Sequence, residues 1–138
     1  MSDRSIDDLL PTVAAAFRRG AAKADAQGIK YVVTCTYRTA EEQAALYAQG
    51  RTTPGKKVTN AKPGQSFHEY RVAFDVYPLV NGKPDFSGSN IEVWKKLAEC
   101  FKSEGFEWAY EWKTFKEMPH FQLTQGHPLS YFQNGGKI

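Results

Sequence analysis

The sequence predicts an α+β fold, a small antiparallel sheet flanked by helices. Two stretches, residues 5–27 and 90–104, repeat apolar side chains at three- and four-residue steps, as helices with one buried face do. Three short stretches, 30–36, 72–77 and 120–123, are rich in β-branched and aromatic residues and read as strands. No internal repeat organises the chain, and 138 residues suit one domain over 1–138, with its core in about 5–124 and a tail over 125–138.

The first helix carries Ile6, Leu9, Leu10, Val13, Phe17 and Ala21, with Asp7 and Asp8 early and Arg18 and Arg19 late, charges that suit the helix dipole. Gly28 ends it, and Lys30 to Thr36 form a strand. Thr39 is placed to cap a short helix through Glu41, Glu42, Leu46 and Tyr47, closed by Gly50. From Arg51 to Gln65 a loop of Thr, Pro, Gly, Lys and Asn has no periodicity of its own, and loops that long in a small domain tend to serve function or move. Val72 to Tyr77 alternate like a buried strand, Asn81-Gly82 reads as a hairpin turn, and Ile91, Val93, Trp94, Leu97 and Phe101 mark the second long helix, stopped by Gly105. His120 to Leu123 complete the strands, and Gly135 to Ile138 are expected to fray.

Composition narrows the classes. Hydrophobic residues make up 41% and charged residues 24%, and the net charge is only +3 with the cations scattered in short pairs, which argues against a nucleic-acid binder. No apolar run is long enough to span a bilayer, so membrane insertion is not expected. The start MSDRSIDDLL has acids where a signal peptide needs a basic opening, so the expectation is synthesis in the cytoplasm without a leader. Cys35 and Cys100 are expected as free buried thiols.

Chemistry concentrates in a few placements. His68-Glu69 opens like the helical zinc motif H-E-x-x-H, but position 72 is valine, so His68 must find partners elsewhere. Asp75 interrupts an apolar strand, where a carboxylate needs a cation, a metal or a hydrogen-bond network. His120 lies in another apolar strand. Two histidines and an aspartate from different elements form the ligand set of a catalytic zinc with one open position, and Glu117, three residues before His120, is placed to take a proton from the attacking water. Each residue has a plainer reading: a packing role for His68 or His120, an ion pair of Asp75 with Arg71 or Arg38, a solvated surface acid at Glu117. His127 has nothing around it and reads as a loop histidine.

The arrangement as a whole resembles the M15 family of zinc peptidases, the D-Ala-D-Ala carboxypeptidases and the L-alanyl-D-glutamate endopeptidases that serve as phage endolysins. The pattern S-x-H-x-x-G-x-A-x-D is met by Ser66, His68, Ala73 and Asp75, and the later acid-x-P-H by Glu117, Pro119 and His120. Upstream, Thr36 to Gln43 and Leu46 to Thr52 resemble the family's Y-R-T…E-Q…L-Y-x-Q-G-R-T block. The likeness spans roughly residues 5–124 and implies a hedgehog/DD-peptidase-like fold.

It further implies that His68, Asp75 and His120 hold one Zn2+ per chain, that Glu117 is the general base, and that Arg38 contacts the substrate carbonyl and its developing oxyanion. A structural salt bridge with Glu41 or Glu42 is the plainer role for Arg38. Ser66 would assist with substrate or shape the turn before His68. The implied activity is cleavage of the peptidoglycan stem peptide between L-Ala and D-Glu by a monomeric phage lysis enzyme that reaches the wall from the host cytoplasm. The alternatives are a D,D-carboxypeptidase that releases terminal D-Ala, or a zinc-containing wall-binding module without turnover. Three departures stand out: Arg71 replaces the family glycine, where φ is expected to be negative; Ala109-Tyr110 stand where many relatives have glycines; and Glu117 replaces the more usual aspartate.

Overall fold

A computed structural model describes residues 3–114 and 116–138. Its first departure from expectation comes early. The apolar pattern from residue 5 does not form one helix: Ser5 caps a single 3-10 turn, Ile6–Asp8, and helix α1 runs from Pro11 to Ala26. Proline disfavours helical backbone at the residue before it, so Leu10 is extended and Pro11 takes the first helical position, where a missing N–H costs nothing.

Strand β1 (Tyr31–Cys35) follows, then helix α2 (Ala40–Ala48), capped by Thr39 as expected, with Glu42 closing a reciprocal box. After the long loop and a 3-10 turn at Phe67–Tyr70 come β2 (Ala73–Val80) and β3 (Lys83–Pro84), joined through Asn81 and Gly82, both at positive φ. Helix α3 (Ile91–Lys102), β4 (Glu107–Trp108), β5 (His120–Gln122) and helix α4 (Leu129–Gln133) complete the chain. The sheet order is β1-β2-β5-β4, with β3 paired to β2, and every pairing is antiparallel.

Alternation along β2 and β5 divides the sheet into two unlike faces. Phe74, Val76 and Phe121 point to α1 and α3, where Phe74 meets Phe17 at 4.8 Å and stacks on Phe121 at 5.3 Å between ring centroids. The two helices approach closely because Gly20 lies against Phe101: a Cβ there would meet the ring at 2.6 Å. Asp75, His120 and Gln122 occupy the other face.

The C-terminal residues do not fray. Phe132 of α4 is buried, Ile138 packs on the core, and the Tyr131 hydroxyl donates to the Lys137 carbonyl at 2.6 Å. His127, expected without neighbours, stacks on Tyr131 at 3.8 Å. Among the described residues no helix is long and apolar enough to cross a membrane.

Candidate active site

Three elements converge on the polar face of the sheet. β2 supplies Asp75, its antiparallel neighbour β5 supplies His120 directly opposite, and the 3-10 turn at Phe67–Tyr70 swings His68 over both. His68 Nε2 lies 3.2 Å and His120 Nδ1 3.3 Å from the same Asp75 oxygen, Oδ1. The two imidazoles meet edge to face with centroids 5.0 Å apart.

The far nitrogens of both rings are already engaged. His68 Nδ1 donates to the Thr36 carbonyl at 2.9 Å, and His120 Nε2 donates to Gln122 Oε1 at 2.8 Å. Those bonds turn the lone pairs of His68 Nε2 and His120 Nδ1 toward Asp75, so three acceptors face one another. Such a group is stable only with positive charge among them. With a proton alone, burial pulls the His68 imidazole down, but the Asp75 carboxylate outweighs it and holds its pKa up to about 10. Asp75 in turn is pushed up by burial and held below the usual carboxylate range by the charge and hydrogen bond of His68 and by the nearby His120 imidazole. A proton on His68 still leaves His120 Nδ1 buried without a hydrogen bond. Two imidazole nitrogens and one carboxylate oxygen, each ring oriented from behind by an acceptor, match the donor chemistry of a Zn2+ site.

The pocket above these atoms holds about 480 Å³. Glu117 stands at its rim, Oε2 3.9 Å from His120 Nδ1 and open to solvent. Trp112 faces His120 edge-on from the same side. Arg38 closes another side, where its guanidinium donates to Gln43 Oε1 at 2.9 Å and to Cys35 Sγ at 3.4 Å. The loop residues Val58, Thr59, Asn60 and Ala61 line the pocket as well. Although this loop lacks regular structure, it is fastened by side chains: Arg51 donates to the Thr59 carbonyl, Gln43 to that of Ala61, and Tyr70 to that of Gly64.

Ser66 lines the pocket, but its hydroxyl accepts from the His68 backbone N–H and caps the turn. Glu69 takes no part among the converging donors but holds the turn together by accepting from Gly64 and Ser66 N–H groups. The expectation for Arg71 is overturned: it sits at φ 64°, in the left-handed region. The turn reverses there just before β2 and needs that backbone whichever residue occupies it. Its guanidinium instead stacks 3.9 Å over the Tyr37 ring and donates to the Asp8 carbonyl, which compensates the strain.

Gln43, Gln122 and Cys35 were not legible as site residues. Gln122 had a signal, since it lies two positions after His120 on the same strand face. Cys35 had none: period two would turn it toward the core with Tyr31 and Val33, but a bulge after Val33 shifts the register and sets it opposite Asp75. The thiol thereby lies 3.5 Å from His68 Nδ1, and Cys35, His68 and Asp75 offer donor atoms within 4.8 Å of one another. Burial works against its ionisation, yet the bond and charge from His68 and the charge of Arg38 hold the thiol below its ordinary pKa. Both cysteines are free and buried.

With this geometry in hand, the comparisons with known proteins are decisive. The VanY family, D-alanyl-D-alanine carboxypeptidase, matches residues 7–123. The chain belongs to this family. Over 112 residues it is 36% identical to the peptidoglycan L-alanyl-D-glutamate endopeptidase CwlK of Bacillus subtilis, covering 70% of this chain and 62% of that protein. Over 133 residues it is 28% identical to the L-alanyl-D-glutamate peptidase of Listeria phage A118, covering 95% of this chain and 44% of that one. The chain thus spans less than two thirds of the length of either relative. The fold is that of the VanY family in three dimensions as well: the crystal structure of a variant of the vancomycin-resistance D,D-pentapeptidase VanY in complex with Zn(II) matches with a TM-score of 0.59 at 19% identity, covering 93% of this chain and 80% of that one.

Proposed function

We propose that this protein is a zinc-dependent peptidase that cuts the stem peptide of bacterial peptidoglycan between L-Ala and D-Glu. The observation that carries the reading is the convergence of His68 Nε2, His120 Nδ1 and Asp75 Oδ1 beneath an open pocket, with His120 Nδ1 buried and unbonded. These three residues would hold the zinc, one per chain. When bound, the ion supplies a Lewis acid for the scissile carbonyl and for the water that attacks it.

The protein's own groups do the rest. Glu117, at the pocket rim, takes the proton of the attacking water and returns it to the departing amine. Its side chain is exposed to solvent and reaches to 3.9 Å from His120 Nδ1. Arg38 is held on the pocket wall by Gln43 and donates to the carbonyl oxygen as that oxygen gains charge. Thr36 and Gln122 keep both imidazoles in the tautomer that the metal needs.

The bond specificity follows the two relatives, both named for the L-alanyl-D-glutamate link, and the phage relative supports a role in host wall lysis. The family description favours a second reading, release of terminal D-Ala. Incubating the purified, zinc-loaded protein with defined stem peptides and identifying the new termini by mass spectrometry separates the two. New L-Ala carboxyl and D-Glu amino termini are expected; free D-Ala with an intact L-Ala–D-Glu bond would overturn the choice. Chelation should abolish either product, and re-addition of zinc should restore it.

A further inference from the structure

We infer that Gln43 is a positioning residue that ties the Arg38 guanidinium and the pocket-wall loop into one rigid unit. The inference rests on the proposed role of Arg38 in the reaction. Gln43 sits in α2 and is fully buried, at 0% exposure, which is rare for an amide without a specific set of partners. Both ends of that amide are engaged. Its Oε1 accepts from Arg38 Nη1 at 2.9 Å, and its Nε2 donates to the Ala61 carbonyl at 2.7 Å.

The orientation of the amide is fixed by chemistry. A guanidinium only donates and a carbonyl only accepts, so a flipped Gln43 would set donor against donor and acceptor against acceptor. The amide is therefore a two-sided clamp. One side holds the cation at the pocket lining, and the other fastens Thr59, Asn60 and Ala61, which line the same pocket. A loop without regular structure, held also by Arg51 and Tyr70, thus gains through one side chain a direct tie to a capped helix and to the cation.

Two substitutions divide the clamp. Gln43→Met fills the same space and removes both bonds; Gln43→Glu keeps an acceptor for Arg38 and turns the Ala61 side into a repulsion. With wall peptide as substrate, Gln43→Met should lower kcat roughly 100-fold, the scale of a small misplacement of a catalytic group. Gln43→Glu should retain most of kcat and raise KM through the loosened wall. In an Arg38→Ala background the Gln43→Met loss in kcat should vanish, because Gln43 acts through the arginine. An equal loss in both backgrounds, or no loss in either, would overturn the inference.

A second measurement needs neither turnover nor metal. The Arg38 guanidinium N–H signals, followed by nitrogen-edited NMR, should be protected from exchange in the wild type and in Gln43→Glu but averaged in Gln43→Met. Unchanged protection in Gln43→Met would refute the clamp. If Gln43→Met does not fold, the comparison of wild type with Gln43→Glu decides: loop amides near Ala61 should exchange faster while the Arg38 signals stay protected, and parallel loss of both would refute it. A wild type that leaves stem peptides intact would overturn the peptidase reading, and the NMR result would still judge Gln43.

Discussion

The two faces of the sheet are built from the same strands and could hardly differ more. On one, Phe74 and Phe121 stack among the aromatic side chains of α1 and α3, and Phe74 is completely buried. On the other, one residue away along each strand, Asp75 and His120 point their acceptors at each other. Alternation makes this possible: a strand that packs hydrocarbon below must present its next residue above. The costly face is held in place by the stabilising one. Asp75 cannot retreat from the imidazoles without dragging Phe74 out of the core.

The sharpest way to break that comparison is to disarm the polar face and ask whether the apolar one notices. Asp75→Asn should abolish zinc binding and peptide hydrolysis together, while far-ultraviolet circular dichroism stays that of the wild type. Next in size, Glu117→Gln should keep one zinc per chain by elemental analysis and lose about 10²- to 10⁴-fold in kcat, the usual contribution of a general base. Retained activity would show that Glu117 is only a rim acid. The converse experiment attacks the other face. Phe74→Ala should cost about 3–5 kcal/mol of folding stability in a denaturant titration, with metal affinity falling only as the fold loosens.

A smaller effect comes from acid. Asp85 is buried where the chain enters α3, and its carboxylate accepts from the Asn90 N–H, the Trp94 indole and the hydroxyls of Ser87 and Ser89. The Asn90 bond first, against an opposing cost of burial, and then the other donors hold its pKa below the ordinary carboxylate value. A group depressed by folding adds stability above its unfolded pKa and loses it as pH falls through the folded one. Wild-type stability should therefore fall below the usual carboxylate range, and Asp85→Asn should flatten that part of the profile. Its deficit in unfolding midpoint should be large near neutrality and shrink in acid; a deficit constant across pH would show that charge on Asp85 is irrelevant.

Much of this was legible before any coordinates. The run Ala73-Phe74-Asp75-Val76 marked a buried strand, and an aspartate within it already demanded a cation, a metal or a hydrogen-bond network. The sequence could not announce what depends on backbone path. The bulge after Val33 that brings Cys35 opposite Asp75 follows from how β1 meets β2, and no local residue encodes it. The service of Gln43 to Arg38 and Ala61 needs a loop eighteen residues away to return to its helix. The break at Pro11 is different, because its signal was present in the sequence and the hydrophobic period outweighed it.

Arg71 offers the smallest and most diagnostic effect, at the hinge where the His68 turn passes into β2. Left-handed backbone costs a non-glycine residue about 1–2 kcal/mol. The guanidinium over Tyr37 returns about 0.5–1 kcal/mol at an exposed site, and its bond to the Asp8 carbonyl returns a similar amount. Arg71→Gly removes the strain and the contacts together, so its net effect should stay within about 1 kcal/mol by denaturant titration. Arg71→Ala loses the contacts and keeps the strain, and it should be less stable than Arg71→Gly by about 1 kcal/mol or more. If the two variants were equally stable, the turn would carry no strain and Arg71 would be an ordinary contact residue; if glycine alone restored or exceeded wild-type stability, the arginine's contacts would contribute little and the polar face would be hinged on backbone geometry alone.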